Sequence, residues 1–409
     1  MNRLSGLALG ILTAVGGFVD VGGLVTSSVT GARFGMSLVW VIVVGVVGIC
    51  LFANMSGRVA AISGRATFEV IRERLGARAG LANLVASTIT SVMTLTAEIG
   101  GVALALQLAS SVNLLLWVPI AAFGVWLVIW RVKFTLMENI AAMVGLALMI
   151  FAVAVFLLNP DWNSLAGQLV NPNVTGNENP GTYWYFAIAL FGSAMTPYEV
   201  FFFSSGAREE KWTAKDLSQA RVNLLVGFPL GGLLSIFITA GAAVVLLPAA
   251  ISVTSMAQVV LPVVVAGGKI FIAIALLGIV AVTFGAALES TLSSGYSVAQ
   301  FFGWSWGKFR RPAEAARFHL AIILCLIIGL GILLVGVDPI QLTEYSMVFS
   351  AIALPLTYLP ILVVANDPEY MGKHVNGRAT NVLGMIFLVI VLAASLAAVP
   401  IMIITGAGA

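Results

Sequence analysis

Charge is scarce in this chain. Only 9% of its 409 residues are Asp, Glu, Lys or Arg, 60% are hydrophobic, and the mean hydropathy is +1.07. A soluble domain carries about 25% charged residues, so a water-soluble globule is excluded. Histidine is almost missing. His319 and His374 both fall near helix ends, and neither belongs to a recognisable nucleophile or metal motif, which leaves an enzyme without support. Cysteine is equally rare: Cys50 and Cys325 lie in separate apolar runs without disulfide or metal-ligand spacing and read as packing residues. No polar run is long enough for a separate soluble domain, and nothing in the charge pattern suggests nucleic acid binding.

What is present is apolar length. Stretches of about 20 residues, each enough to cross ~30 Å of hydrocarbon as a helix, recur along the chain. They predict eleven spans, at 6–31, 36–56, 82–109, 114–131, 139–158, 183–207, 222–247, 268–303, 316–337, 342–365 and 379–405. The N-terminal segment lacks a small-residue cleavage site and is expected to be the first span rather than a signal peptide. All Lys and Arg except Arg33 and Lys269 fall at the N-terminus or in the connections 2–3, 4–5, 6–7, 8–9 and 10–11. Basic residues mark the cytoplasmic side. The N-terminus is therefore expected in the cytoplasm and the C-terminus outside, in a multi-pass protein of the cell inner (plasma) membrane.

Two spans break their own pattern. Gly16-Gly17-Phe18-Val19-Asp20-Val21-Gly22-Gly23 sets a carboxylate between glycine pairs, and Gly192-Ser193-Ala194-Met195-Thr196-Pro197-Tyr198-Glu199 interrupts the sixth segment. Irregular backbone at membrane depth normally lines a cavity or is covered by other helices. The two interruptions are five spans apart, the offset expected of an inverted repeat of helices 1–5 and 6–10 whose broken helices face each other at the midplane. Each break alone could be a packing kink; two in register, one bearing Asp, favour a site. Asp20, Glu98, Glu199 and Glu289 fall inside spans, with no Lys or Arg at comparable depth. Such acids must be protonated, water-facing or neutralised by a bound cation, and a cation pathway is the economical explanation.

These residues also carry a resemblance. Asp20-Val21-Gly22-Gly23 is similar to the Asp-Pro-Gly-Asn motif in the first helix of the Nramp family of divalent-metal transporters. It is followed at the expected distance by Gly31-Ala32-Arg33-Phe34-Gly35 and Ser37-Leu38-Val39-Trp40. Ser63-Gly64, Arg72-Glu73-Arg74, Ala97-Glu98-Ile99-Gly100-Gly101, Ser290 to Tyr296, Gln300-Phe301 and the stretch from Asp367 to Met371-Gly372 extend the match end to end. The resemblance implies an all-α integral membrane protein of LeuT-like fold with 11 transmembrane helices. One transporter domain would span 1–409: repeat one at about 6–158, repeat two at about 183–365 and an extra helix at about 379–405. It implies alternating access around a metal held between the broken helices.

The departures from the family pattern bear on substrate. Where the family has Met-Pro-His at the sixth break, this chain has Thr196-Pro197-Tyr198, replacing a soft thioether by a hydroxyl suited to Mg²⁺ or Ca²⁺. Gly23 stands at the position of the coordinating Asn. By the resemblance, the candidate metal site comprises Asp20, Thr196, Gly23, Tyr198 and Glu199, with backbone carbonyls from Gly17 and Ser193. Glu199 either adds a second charge to the site or bonds a neighbouring helix. Tyr198 and Phe203 replace the sixth-helix histidines, and Leu95 replaces the third-helix Asp, leaving Glu98 as a proton or gating residue. This pattern resembles the Nramp-related magnesium transporters, and Mg²⁺, which keeps several waters, is the expected cargo, with Mn²⁺ also admitted and no proton coupling. The cation is substrate rather than cofactor; the other partner is the lipid bilayer, and no obligate protein partner is inferred. Three alternatives stay open: a proton-coupled Mn²⁺ or transition-metal transporter, a carrier of a small organic substrate such as an amino acid, and a non-transporting sensor.

Overall fold

The computed structural model describes residues 18–132, 134–170 and 179–406, and every regular element among them is helical. Apolar side chains on all faces of a segment leave the backbone no way to satisfy its hydrogen bonds in lipid except within itself. In chain order the helices are α1 (Val21–Phe34), α2 (Val39–Ser63), α3 (Thr67–Ser110), α4 (Leu114–Arg131) and α5 (Phe134–Gly145). A 3₁₀ turn, Leu146–Met149, joins α5 to α6 (Ile150–Leu157), and α7 (Trp162–Val170) follows. The second half holds α8 (Pro180–Ala194), α9 (Pro197–Glu209), α10 (Leu217–Val245), α11 (Met256–Phe302), α12 (Ala316–Leu334), α13 (Pro339–Val364), α14 (Pro368–Met371) and α15 (Arg378–Thr405).

Among the described residues ten stretches are long and apolar enough to cross a membrane, counting α5–α6 and α8–α9 as one each. They coincide with the second to eleventh expected spans. Residues 6–17 of the first span lie outside the described residues, and its second half is α1. Two spans begin earlier than apolar length predicts. Helix α3 starts at Thr67 and bends at Gly76 (φ 84°, ψ 168°); α11 starts at Met256 and bends at Gly268 (φ 63°, ψ −144°). Both bends use positive φ, open to glycine at little steric cost. The segments ahead of them were missed because 67–75 is charged on one side and 256–267 contains Pro262. Within the expected loop 159–182, α7 is a further helix that apolar length does not reveal.

Burial grades the bundle from centre to rim. In the most apolar window of the broken sixth span 89% of residues are buried, against 22% in α4 and in α15. The sixth span therefore runs through the protein interior, whereas α4 and α15 present apolar side chains such as Phe123, Val389 and Ile403 outward. Helix α3 packs along α11 and α13, α10 packs on α1 and α2, and α2 packs on α9. The two breaks thus lie inside a cage of continuous helices.

Charged side chains tie the connections at one end of the bundle. Arg65 holds Glu73 at 2.5 Å, Arg74 pairs with Asp367, and Arg58 bonds Asn376. Glu209 at the end of α9 accepts from Tyr296 at 2.8 Å and from the Lys308 N–H at 2.6 Å, clamping the chain after α11 onto the sixth span.

Candidate metal site at the two helix breaks

The first break places Asp20 as the N-cap of α1. Its Oδ1 accepts the Gly23 N–H at 2.7 Å, and its main-chain carbonyl accepts from Leu24. A helix start leaves its first N–H groups without internal partners, and here a second carboxylate meets one of them. Glu98, in the middle of α3, accepts the Val21 N–H at 3.1 Å and 3.3 Å through its two oxygens. Both acids are buried, at 1% and 0% exposure. The positive end of α1 is thus met by two carboxylates, and Asp20 keeps one oxygen, Oδ2, directed away from its own helix.

The second break lies between α8 and α9. Pro197, at the first position of α9, cannot continue the ladder, and Thr196 caps α9 in extended backbone without a side-chain cap bond. A helix that ends at Ala194 frees the carbonyls of its last turn, those of Gly192, Ser193 and Ala194. Two other carbonyls at the break are held from neighbouring spans. Tyr358 of α13 donates to Met195 O at 3.0 Å, and Ser293 of α11 donates to Tyr198 O at 3.1 Å.

Two contacts join the breaks. Tyr198 Oη donates to Asp20 Oδ2 at 3.4 Å, and Thr26 of α1 donates to Ser193 Oγ at 3.2 Å. The structure therefore brings together Asp20, Tyr198, Gly23, Ser193 and, through Val21, Glu98. Thr196 is buried on the same break, two residues before Tyr198. Glu199 is also buried, within electrostatic reach of Tyr198 and Tyr358. Gly17 lies outside the described residues.

The glycines at the breaks are not equivalent. A Cβ on Gly22 would lie 2.5 Å and 2.6 Å from the Met347 methyl carbon and sulfur, so Met347 of α13 fills the room that Gly22 leaves. A Cβ on Gly192 would meet the Met347 carbonyl at 2.1 Å, so this one residue is packed against both breaks. Gly23 is roomier: its Cβ would stand 3.5 Å from Phe18 O and 3.6 Å from Asp20 Oδ1. Room for a Cβ is thus present at Gly23 and taken by Met347 at Gly22. Met347, Tyr358, Ser293 and Thr26 were missed from sequence. Their signal, a sulfur or hydroxyl inside an apolar span, is shared with many residues that only pack.

Among the described residues no three His, Cys, Asp or Glu side chains gather as a metal cluster. Beside the Met347 sulfur, the breaks offer one carboxylate whose Oδ2 faces Tyr198, hydroxyls and main-chain carbonyls, the last three kinds hard oxygen donors. The thioether next to Thr196 points elsewhere, because the Met195 sulfur packs against Gly48 of α2.

Comparison with known proteins extends over almost the whole chain. A family profile described as Natural resistance-associated macrophage protein-like (Nramp) matches residues 10–400. The chain is similar to the divalent metal cation transporter MntH of Deinococcus radiodurans, 25% identical over 395 residues, covering 92% of this chain and 85% of that one. To the MntH of Mycobacterium tuberculosis H37Rv it is 26% identical over 380 residues, covering 91% and 86%. Among solved structures it resembles a manganese transporter of Eremococcus coleocola with a TM-score of 0.73 at 19% identity, covering 95% of this chain and 85% of that chain. The nucleobase-cation-symport transporter MHP1 follows at a TM-score of 0.64 and 17% identity, covering 97% and 92%. These likenesses show the fold, and it is the LeuT-like arrangement that the family resemblance implied.

Proposed function

The chain belongs to the Nramp family, and from that membership we propose that it carries divalent metal cations across the membrane by alternating access, with Mg²⁺ as principal substrate, Mn²⁺ as a second and no proton coupling. The whole chain acts as one transporter unit, with its N-terminus in the cytoplasm, its C-terminus outside, and its cation between the breaks at Asp20 and Thr196. The observation that carries the Mg²⁺ reading is the sixth break itself. Thr196 stands there as an oxygen donor, while the neighbouring Met195 sulfur is turned against Gly48. A site with one carboxylate oxygen turned away from its own helix, hydroxyls and carbonyls suits an ion that dehydrates reluctantly and brings its own water. The absence of proton coupling is supported by Tyr198. It occupies the position of a family histidine, does not titrate near neutrality as histidine does, and is engaged with Asp20.

The test is Mg²⁺ influx into proteoliposomes. Saturable influx is expected, reduced at least tenfold in Asp20→Ala, with no change in a lumenal pH dye as the ion enters. Undiminished influx in Asp20→Ala would refute the site, and acidification that tracks the metal would refute uncoupled transport.

A second reading, a proton-coupled transition-metal transporter, is favoured by one observation: the Met347 sulfur beside Gly22 is a soft donor at the first break. Met347→Leu conserves volume and separates the two. Mg²⁺ selectivity predicts Mg²⁺ and Mn²⁺ influx within about twofold of the unaltered protein, whereas a thioether ligand predicts a selective loss of Cd²⁺ and Mn²⁺ influx of roughly tenfold.

A further inference from the structure

Ser235 lies in the middle of α10, outside both breaks, and sequence reasoning gave it no part. Its hydroxyl is buried, at 3% exposure, and has no hydrogen-bond partner. A buried hydroxyl left unpaired is costly, and within an apolar helix it ordinarily bonds the carbonyl one turn back. Thr239, one turn further along the same helix, does so, donating to Ser235 O at 3.0 Å. Ser235 does not follow that pattern. Its Oγ faces the first break instead: the position a Gly23 Cβ would take is 4.0 Å from Ser235 Oγ and 3.6 Å from Asp20 Oδ1. Hydroxyl and carboxylate thus both lie within 4.0 Å of that one position.

We infer that Ser235 is a further cation-binding residue, whose hydroxyl oxygen serves the side of the site that Gly23 leaves without a side chain, either touching the ion or holding one of its waters. The inference rests on the proposed cation site at Asp20. A side chain at position 23 would contact both oxygens, 3.6 Å from Asp20 Oδ1 and 4.0 Å from Ser235 Oγ, so glycine there and the orphan hydroxyl on α10 act as one device. A neutral hydroxyl adds affinity for a hard cation without a second negative charge.

Three forms of the protein in proteoliposomes test this: unaltered, Ser235→Ala and Ser235→Cys. Ser235→Ala is expected to raise the KM for Mg²⁺ roughly tenfold, the scale of one hydrogen bond to a charged group, with maximal influx and thermal unfolding unchanged. Ser235→Cys places sulfur at the same point and is expected to admit Cd²⁺ at least tenfold better relative to Mg²⁺. An unchanged Mg²⁺ KM in Ser235→Ala together with unchanged Cd²⁺ preference in Ser235→Cys, while the unaltered protein transports Mg²⁺, overturns the assignment of Ser235 alone. No Mg²⁺ influx by the unaltered protein strikes the parent reading instead, and Mn²⁺ influx then serves as the probe for the same two variants.

Discussion

Tyr198 touches Asp20 at 3.4 Å, the long end of a hydrogen bond, and this length bears on what the residue does. Tyr198→Phe keeps the ring, which is 2% exposed, and removes only that contact. The expected consequence is a rise in metal KM of no more than about fivefold, read in the same influx assay. Glu98 is held more firmly, through both oxygens to the start of α1. Glu98→Gln preserves an acceptor for the Val21 N–H and should leave Mg²⁺ influx within about threefold if no proton passes through this residue. Glu98→Ala leaves that N–H buried and unpaired, costing roughly 1–3 kcal/mol, visible as a lower unfolding temperature in detergent. A proton relay would reverse the order, with Gln as harmful to transport as Ala.

Helices α8 and α13 approach so closely that a Cβ on Gly192 would strike main-chain atoms of Met347, whereas a Cβ on Gly22 would strike the end of its flexible side chain and stand 3.0 Å from Asp20 Oδ1. The two glycines therefore predict different outcomes. Gly192→Ala has no relief available and should abolish recovery of folded protein, since a packed backbone does not yield locally. Gly22→Ala should lower the unfolding temperature and be rescued in part by Met347→Ala, a coupling of about 0.5–3 kcal/mol in a double-mutant cycle. At the bends, Gly76 and Gly268 hold positive φ with open space around them. Alanine there is penalised by backbone strain alone, about 1–3 kcal/mol. The breaks themselves were legible as elements because glycine pairs and proline interrupt apolar runs; which helices close around them was not, because Met347, Tyr358 and Ser293 reach the breaks from spans remote in sequence.

For the whole molecule, the charged end of the bundle sets the response to acid. Asp367, between α13 and α14, is held below the usual carboxylate range by the Glu369 N–H and then by Arg74. A depressed carboxyl stabilises the fold above its unfolded value of about 3.9 and loses that contribution as pH falls through its lower folded value. This tie is therefore complete throughout pH 5–8. The unfolding temperature should be insensitive to it there and fall only below about pH 4, with Asp367→Asn flattening that acid limb. The same end of the bundle carries most of the Lys and Arg. If it is cytoplasmic, single cysteines near Lys308 will react with an impermeant maleimide only after cells are broken, while one at Asn163 will react in intact cells.

Composition alone determined that the chain is a multi-pass membrane protein, because so little charge cannot clothe a soluble surface. The order of apolar runs predicted eleven spans, ten of which coincide with the helices long and apolar enough to cross a membrane among the described residues. It also located the two breaks, since hydrocarbon thickness and backbone hydrogen bonding leave few other solutions. The motifs then pointed to the family that the comparisons show. Other features required tertiary structure. Asp20 and Glu98 share one helix start although they are 78 positions apart, the room at Gly22 is taken by Met347 while a Cβ at Gly23 would make only ordinary contacts, and one of those contacts is the hydroxyl of Ser235. Periodicity marks which face of a helix is apolar. It does not tell which of several hydroxyls or sulfurs on a buried face meets a break in another span, because that depends on how the helices are rotated and set in depth against one another.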